Sequence, residues 1–410
     1  MSDHSKTRRS FLKGAAIAAG AYLAPKRVLA AQSRGSAVVV GAGAFGGWSA
    51  LQLLRSGMKV TLVDTWGPGN ARSTSGGESR IVRVTYGPKR IYAEMAVKAL
   101  RLWQEYEKDF KVKLFNKCGM LWFVSENDSY EQAALPLLRE FGVTFEQLSP
   151  TECASRWPQM RFDDVAWGLY EPNAGFLYAR RACDAVFAAF LREGGEYRQA
   201  EAIPGSISSG RMEDVKLSSG ETLKADQYVF ACGPWLGKVF PFMDSLIKPT
   251  RQEVFFFGTE AGDTRFDASN QPVWIDNGQW IFYGFPNSDG RGFKMANDAR
   301  GPLIDPTTHN RRISTEQLEL AREYLRLRFP DLAGAPLIDS KVCQYESAPR
   351  DRFIIDRHPE AQNVLVAGGG SGHGFKHGPV VGEFVRDAVL DVKAPPAEMS
   401  FAESFKNRAR

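Results

Sequence analysis

The most constraining stretch of this chain is a short run near its start. Ala37-Val38-Val39-Val40 is apolar and largely β-branched, and it passes directly into Gly41-Ala42-Gly43-Ala44-Phe45-Gly46. A helical stretch from Trp48 to Arg55 follows, closed by Gly57, and Lys59-Val60-Thr61-Leu62-Val63-Asp64 reads as a second strand ending in an acid. Strand, GxGxxG, helix, strand and acid in this order predict a βαβ unit that cradles a dinucleotide. Gly41 permits the tight turn, Gly43 lets the backbone approach a pyrophosphate, and Gly46 lets the helix pack on the strand. Ala44 and Phe45 fall with these glycines in the cofactor-binding loop, and the N-terminus of the following helix offers unpaired N–H groups and a positive dipole end to the phosphates. Asp64 is placed to accept hydrogen bonds from a ribose diol. The fingerprint alone does not choose between NAD and FAD.

A chain of 410 residues that is 43% hydrophobic and 24% charged folds around a sizeable core. Its length suits two or three units of roughly 100 to 200 residues each. The formal charge of +5 sits entirely in residues 1–30, where Lys6, Arg8, Arg9, Lys13, Lys26 and Arg27 face a single acid, Asp3. The rest is neutral, so neither nucleic acid nor an anionic membrane surface is indicated as a partner. Thr7 to Lys13, TRRSFLK, precedes an apolar run from Gly14 to Ala24 and then Val28-Leu29-Ala30, small residues suited to a signal peptidase. That run is too short to span a bilayer as a helix. The paired arginines resemble the signal of the bacterial twin-arginine route, which exports folded proteins. The resemblance implies the export machinery as a transient partner, an export signal over 1–30, and a periplasmic or secreted product. Cys118, Cys153, Cys183, Cys232 and Cys343 have irregular spacing and form no disulfide framework or CxxC pair, and no HExxH stands among the histidines. No metal is therefore assigned.

Further blocks carry the choice of cofactor. Ser73-Thr74-Ser75-Gly76-Gly77-Glu78-Ser79-Arg80-Ile81-Val82-Arg83 follows the βαβ unit. Near the other end stand Cys343-Gln344-Tyr345, Arg352-Phe353-Ile354-Ile355-Asp356 and Gly368-Gly369-Gly370-Ser371-Gly372-His373-Gly374-Phe375-Lys376. Between them come Glu171-Pro172-Asn173-Ala174-Gly175, Val229 to Trp235, Tyr283-Gly284-Phe285-Pro286 and Gly292-Phe293-Lys294. In this order the blocks resemble the flavin-dependent amine oxidases of the monomeric sarcosine oxidase and N-methyltryptophan oxidase family, from about Val38 to about Val389.

The resemblance implies a mixed α/β and α+β fold: a Rossmann-like FAD-binding domain with an inserted antiparallel-sheet substrate domain. The flavin part would comprise 34–112, 165–247 and 340–392, the substrate part 113–164 and 248–339, with 393–410 a C-terminal tail. Phe255-Phe256-Phe257 and Trp280-Ile281-Phe282-Tyr283 read as strands of the second part, and Glu316 to Leu327 as a packing helix.

It also implies roles for individual residues. Cys343 matches a position of covalent FAD attachment, and Ser75 and Arg80 fall in the cofactor-binding set. Arg83 and Lys376 match the cations that hold a substrate carboxylate, a task suited to a guanidinium fork beside a point charge. Lys294 matches a lysine near the reactive edge of the flavin, where an ammonium stabilises charge passing to oxygen. Tyr283 and Tyr345 align with residues beside flavin or substrate. Gly370, Gly372 and Gly374, next to Lys376, leave backbone N–H groups free to approach the flavin's pyrimidine oxygen.

Two departures stand out. Glu346-Ser347-Ala348-Pro349-Arg350 replaces the family's threonine and Thr-Pro-Asp run, and Asp298 replaces a histidine of the sarcosine oxidases. Two acids facing the site would favour a substrate with a second positive charge. The expected activity is oxidation of a C–N bond in an amino acid or N-substituted amino acid, with FAD as cofactor and a small amine and O2 as the reacting partners. An FAD-dependent dehydrogenase passing electrons to a quinone or carrier, and an inactive flavin-binding protein, are the alternatives.

Overall fold

The apolar run at the start of the fingerprint forms the strand Ser36–Val40, buried along nearly its whole length near the centre of a six-stranded sheet. Its neighbours in order are Ile354–His358, Ala361–Gly368, Gln227–Phe230, then Ser36–Val40 itself, Lys59–Asp64 and Glu196–Gln199. All pairings are parallel except the hairpin between the first two. Helices cover this sheet, which is why its inner strands read as continuous apolar runs rather than alternating ones. This computed structural model describes residues 34–406, so the export signal expected over 1–30 lies outside the described residues.

The helix after the glycine loop runs from Ala44 to Arg55 and begins directly at Gly43, a turn earlier than the reading from Trp48. It lies against the helices Gly378–Val389 and Ala179–Arg192, and the buried Trp48 sets its ring edge-on to Trp103 at 5.3 Å. The close seat depends on Gly46, where a Cβ would stand 1.8 Å from the carbonyl oxygen of Gly41.

A second, eight-stranded sheet is ordered Leu337–Ser347, Lys248–Phe257, Phe293–Asn297, Phe282–Phe285, Val273–Asp276, Met120–Val124, Trp167–Glu171, Glu146–Leu148. It is antiparallel apart from the pairing of Val273–Asp276 with Met120–Val124. The stretch 165–247 contributes to both sheets, giving Trp167–Glu171 to this one and Gln227–Phe230 to the other. The strand expected from Trp280 starts only at Phe282, because Ile281 takes a left-handed conformation (φ +49°) that a strand cannot continue through. The expected packing helix is Thr315–Arg328, capped by Ser314, whose hydroxyl accepts from the Gln317 N–H. Its Tyr324 stacks on Trp274, and the buried Arg328 pairs with Asp276 at 3.0 Å.

A small sheet of Ser79–Val82, Gly175–Tyr178 and Phe115–Asn116 carries Arg80 and ends just before Arg83. Beyond residue 392 the chain packs back: Phe401 is buried and its N–H donates to Asp356 at 2.9 Å. All five cysteines are free thiols. Among the described residues no helix is long and apolar enough to cross a membrane.

Candidate active site

Parallel strands deliver their following loops to one sheet edge, and there a cavity of about 540 Å³ opens. Gly41, Gly43, Ala44, Phe45, Asp64, Ser75, Arg80, Tyr345, Gly370, Gly372 and Gly374 all line it, and Gly46 lies behind it as the packing residue. The helix N-terminus at Gly43 has no side-chain cap and no acid in its first turn, which leaves its dipole available to an anion. The Ala44 N–H meets Ser75 Oγ at 2.9 Å. Asp64 accepts from the N–H groups of Ala42, Trp66 and Gly67, each at 2.8 Å, so its carboxylate is held in place at the cavity wall. Gly372 has φ +81°, and a Cβ there would fall 2.7 Å from the Tyr345 ring, so this wall can carry only backbone. A cleft with a bare backbone wall and a helix terminus fits a flavin dinucleotide.

Beside that cavity lie the two cations. Lys376 is 4% exposed, and its Nζ donates to Tyr86 Oη at 2.9 Å and to the His373 carbonyl at 3.0 Å. Its own carbonyl is fixed by Trp103 Nε1 at 2.7 Å. Burial first, and then the charge of Arg83, pulls Lys376 well below the ordinary lysine range. The Arg83 guanidinium lies 4.3 Å from the centre of the Tyr86 ring and 4.9 Å from that of Trp122, and it donates to the Thr85 carbonyl. Among the described residues neither cation forms an ion pair with a carboxylate. The backbone after Arg83 is clamped by Glu171, 1% exposed, which accepts from Val84 N–H at 2.8 Å, Thr85 N–H at 3.1 Å and Thr85 Oγ1 at 2.7 Å.

A second polar string runs past the cavity. Tyr283 and Tyr345 hydroxyls meet at 3.3 Å, and Tyr345 donates to Asp298 at 3.0 Å. Asp298 keeps 48% of its side chain accessible. Arg300 stands 3.9 Å from Asp298 and 2.9 Å from Asp351. Lys294 is 3% exposed and faces a different, smaller cavity; its ammonium donates to the Ser79 carbonyl and hydroxyl, both at 3.0 Å. Burial and the neighbouring Arg80 lower its pKa well below that of a free lysine. Arg80 itself donates to the carbonyls of Ser79 (2.8 Å) and Thr74 (2.6 Å). Cys343 sits two residues before Tyr345 on the same strand and therefore on the same face, packed with Val254, Phe256, Ala296 and Tyr283, outside the lining of the large cavity. His373 orders backbone, with Nε2 2.9 Å from the Asp351 carbonyl.

A dinucleotide-binding sheet edge beside a cationic pocket is the arrangement of a flavin-dependent oxidoreductase. A match to the FAD dependent oxidoreductase family covers residues 36–388, and the chain belongs to that family. It is 31% identical over 369 residues to the monomeric sarcosine oxidase of Bacillus sp. (strain B-0618), covering 87% of this chain and 92% of that one. It is 26% identical to the N-methyl-L-tryptophan oxidase of Salmonella dublin, with 86% and 94% covered. Among solved structures, L-proline dehydrogenase from P. horikoshii superposes with a TM-score of 0.78 at 20% identity, covering 90% of this chain and 96% of that one, a likeness of fold.

Sequence reasoning missed Tyr86, Trp122 and His377 as neighbours of the cations, and it treated Glu171 only as part of a block. Glu346 was noted as a departure, and the structure puts it in the wall of the large cavity. Burial drives its carboxyl up to about 7, although the Gly370 and Gly369 N–H groups pull the other way. A carboxyl raised in the fold binds a proton that the unfolded chain has released, so stability falls as pH rises from about 4.5 through 7. Glu346→Gln removes this pH dependence. Relative to the unsubstituted chain it should gain about 2–3 kcal/mol between about pH 5 and pH 8 in urea denaturation without FAD; parallel pH dependences would contradict the assignment.

Proposed function

We propose that this protein oxidises the C–N bond of an amino acid or N-substituted amino acid, with O2 as electron acceptor. The observation that carries this reading is a pair of cations without a carboxylate partner among the described residues, the buried Lys376 and the half-buried Arg83, beside the flavin cavity. Buried charge without a counterion calls for an anionic ligand, and a carboxylate satisfies both a guanidinium and an ammonium. FAD, when bound, supplies the acceptor for the hydride leaving the carbon next to nitrogen. Arg83 and Lys376 anchor the carboxylate end, and their positive charge disfavours the protonated amine, leaving the nitrogen lone pair free to assist hydride loss. The oxidised product is an imine, which water hydrolyses, and the two electrons pass to O2 to give hydrogen peroxide. Lys294 supports oxygen as the acceptor through its match to the lysine near the reactive edge of the flavin in the resembled oxidases; here it is buried, bonded to Ser79 and neighboured by Arg80. Among relatives, sarcosine oxidase and N-methyl-L-tryptophan oxidase are named for such amine substrates.

An anaerobic screen of amino acids, N-methyl amino acids, cyclic imino acids and polyamines, scored by bleaching of the flavin near 450 nm, tests the reaction. Arg83→Met and Lys376→Met should each raise KM for the responding substrate by about ten- to a hundredfold. Unchanged KM in both would refute the carboxylate assignment.

We also propose that FAD is attached through Cys343, whose support is its place two residues from the cavity-lining Tyr345 on one strand face. After acid precipitation the yellow colour should remain with the polypeptide and be lost to the supernatant in Cys343→Ser. Colour released from the unsubstituted chain would end the covalent reading.

The paired arginines Arg8 and Arg9, followed by an apolar run, support export by the twin-arginine route to the periplasm or beyond. Replacing both with lysine should trap the protein in the cytoplasm on cell fractionation; export that persists would rule this route out.

A further inference from the structure

Tyr86 touches both cations of the pocket by different means. Its ring is a face for the Arg83 guanidinium, 4.3 Å from the ring centre, a distance at which the quadrupole of the ring attracts a cation. Its hydroxyl oxygen accepts the Lys376 ammonium at 2.9 Å. No other described side chain makes a hydrogen bond to the Lys376 ammonium; its second acceptor is the backbone carbonyl of His373.

The hydroxyl is itself held from the far side. Tyr86 Oη lies 2.8 Å from His377 Nε2 and 3.1 Å from His373 Nδ1. Since a carbonyl oxygen only accepts, the Asp351 carbonyl fixes the His373 proton on Nε2 and leaves Nδ1 an acceptor. Both imidazoles are kept neutral by burial and by Lys376. The phenolic proton therefore has a ring nitrogen to meet, and an oxygen lone pair remains directed at Lys376. The phenol is wholly buried among these groups, and burial holds it neutral far beyond the ordinary tyrosine range. The chain on its N-terminal side is fixed in turn by the Glu171 clamp on Val84 and Thr85.

We propose that Tyr86 is the positioning residue of the carboxylate site, setting the separation of Arg83 and Lys376 through its two chemically distinct faces. A neutral phenol is suited to this task. A carboxylate in its place would neutralise the cations and compete with the ligand, whereas a ring and one lone pair orient both charges and cancel neither. The inference rests on the proposal that these cations hold the substrate carboxylate, and its test separates the two.

The FAD-loaded enzyme is titrated with propionate and with its uncharged analogue propionamide, followed by perturbation of the flavin absorbance. In the unsubstituted enzyme propionate should bind more tightly than the amide. Tyr86→Phe keeps the ring and deletes the oxygen, so propionate affinity should fall about tenfold or more while propionamide changes less than about twofold. Because the oxygen acts through Lys376, adding Tyr86→Phe to Lys376→Met should cause no loss beyond Lys376→Met alone. Tyr86→Leu removes the ring as well, and should weaken propionate further even in the Lys376→Met background, through Arg83. Equal losses for acid and amide, or additive losses in the Tyr86→Phe, Lys376→Met pair, would overturn the positioning role. If Lys376→Met weakens propionate and neither Tyr86 variant does, the positioning role fails and the carboxylate site stands. If Lys376→Met leaves propionate untouched, the carboxylate site and the role of Tyr86 fall together.

Discussion

Five parallel strands end at one edge of the six-stranded sheet, and the chemistry of this protein hangs from four of them. Gly41 follows the first, Asp64 closes the second, Ala231 and Cys232 follow Phe230, and the glycine loop follows Gly368. Backbone hydrogen bonding sets the register of these strands, so pieces of chain more than three hundred residues apart meet without needing affinity of their own. Local contacts then tighten the joint. The helix from Ala44 settles onto the strand because Gly46 carries no side chain, and its N-terminal end lines the opening.

Much of this edge was legible in the linear chain, because the βαβ unit is local: its strand, turn, helix and acid occupy consecutive residues with one periodicity each. The glycine loop at 368–374 was legible for the same reason. The pocket was less so. Arg83 and Lys376 were found through resemblance, but Tyr86 stands 290 residues from Lys376 and no spacing rule connects them. Glu171 is another case, since a glutamate at a strand end looks solvent-facing until the segment after Arg83 folds over it. Ile281 shows the opposite failure: an aromatic, β-branched run reads as strand, and a single left-handed residue cuts it short. Lys294 reads as an ordinary strand lysine, and only pairing of its strand between Lys248–Phe257 and Phe282–Phe285 takes it out of water.

The electrostatics of the pocket are uneven by construction. Neutral groups, Tyr86 and two uncharged imidazoles among them, surround Lys376 and Arg83, while the nearest acids are occupied elsewhere: Glu171 by backbone N–H groups and Asp298 by Tyr345 and Arg300. The cations are thus kept oriented and unquenched. Such an arrangement is expensive in an empty protein, since buried charge without a partner loses its hydration.

The Glu171 clamp has a mechanical consequence. Glu171 ends a strand of the eight-stranded sheet, so the backbone beside Arg83 is moored to that layer, whereas Lys376 rides on the loop leaving the six-stranded one. An anion grasped by both would act as a rivet through two layers of the molecule, and vacating the pocket would loosen the seam it had closed.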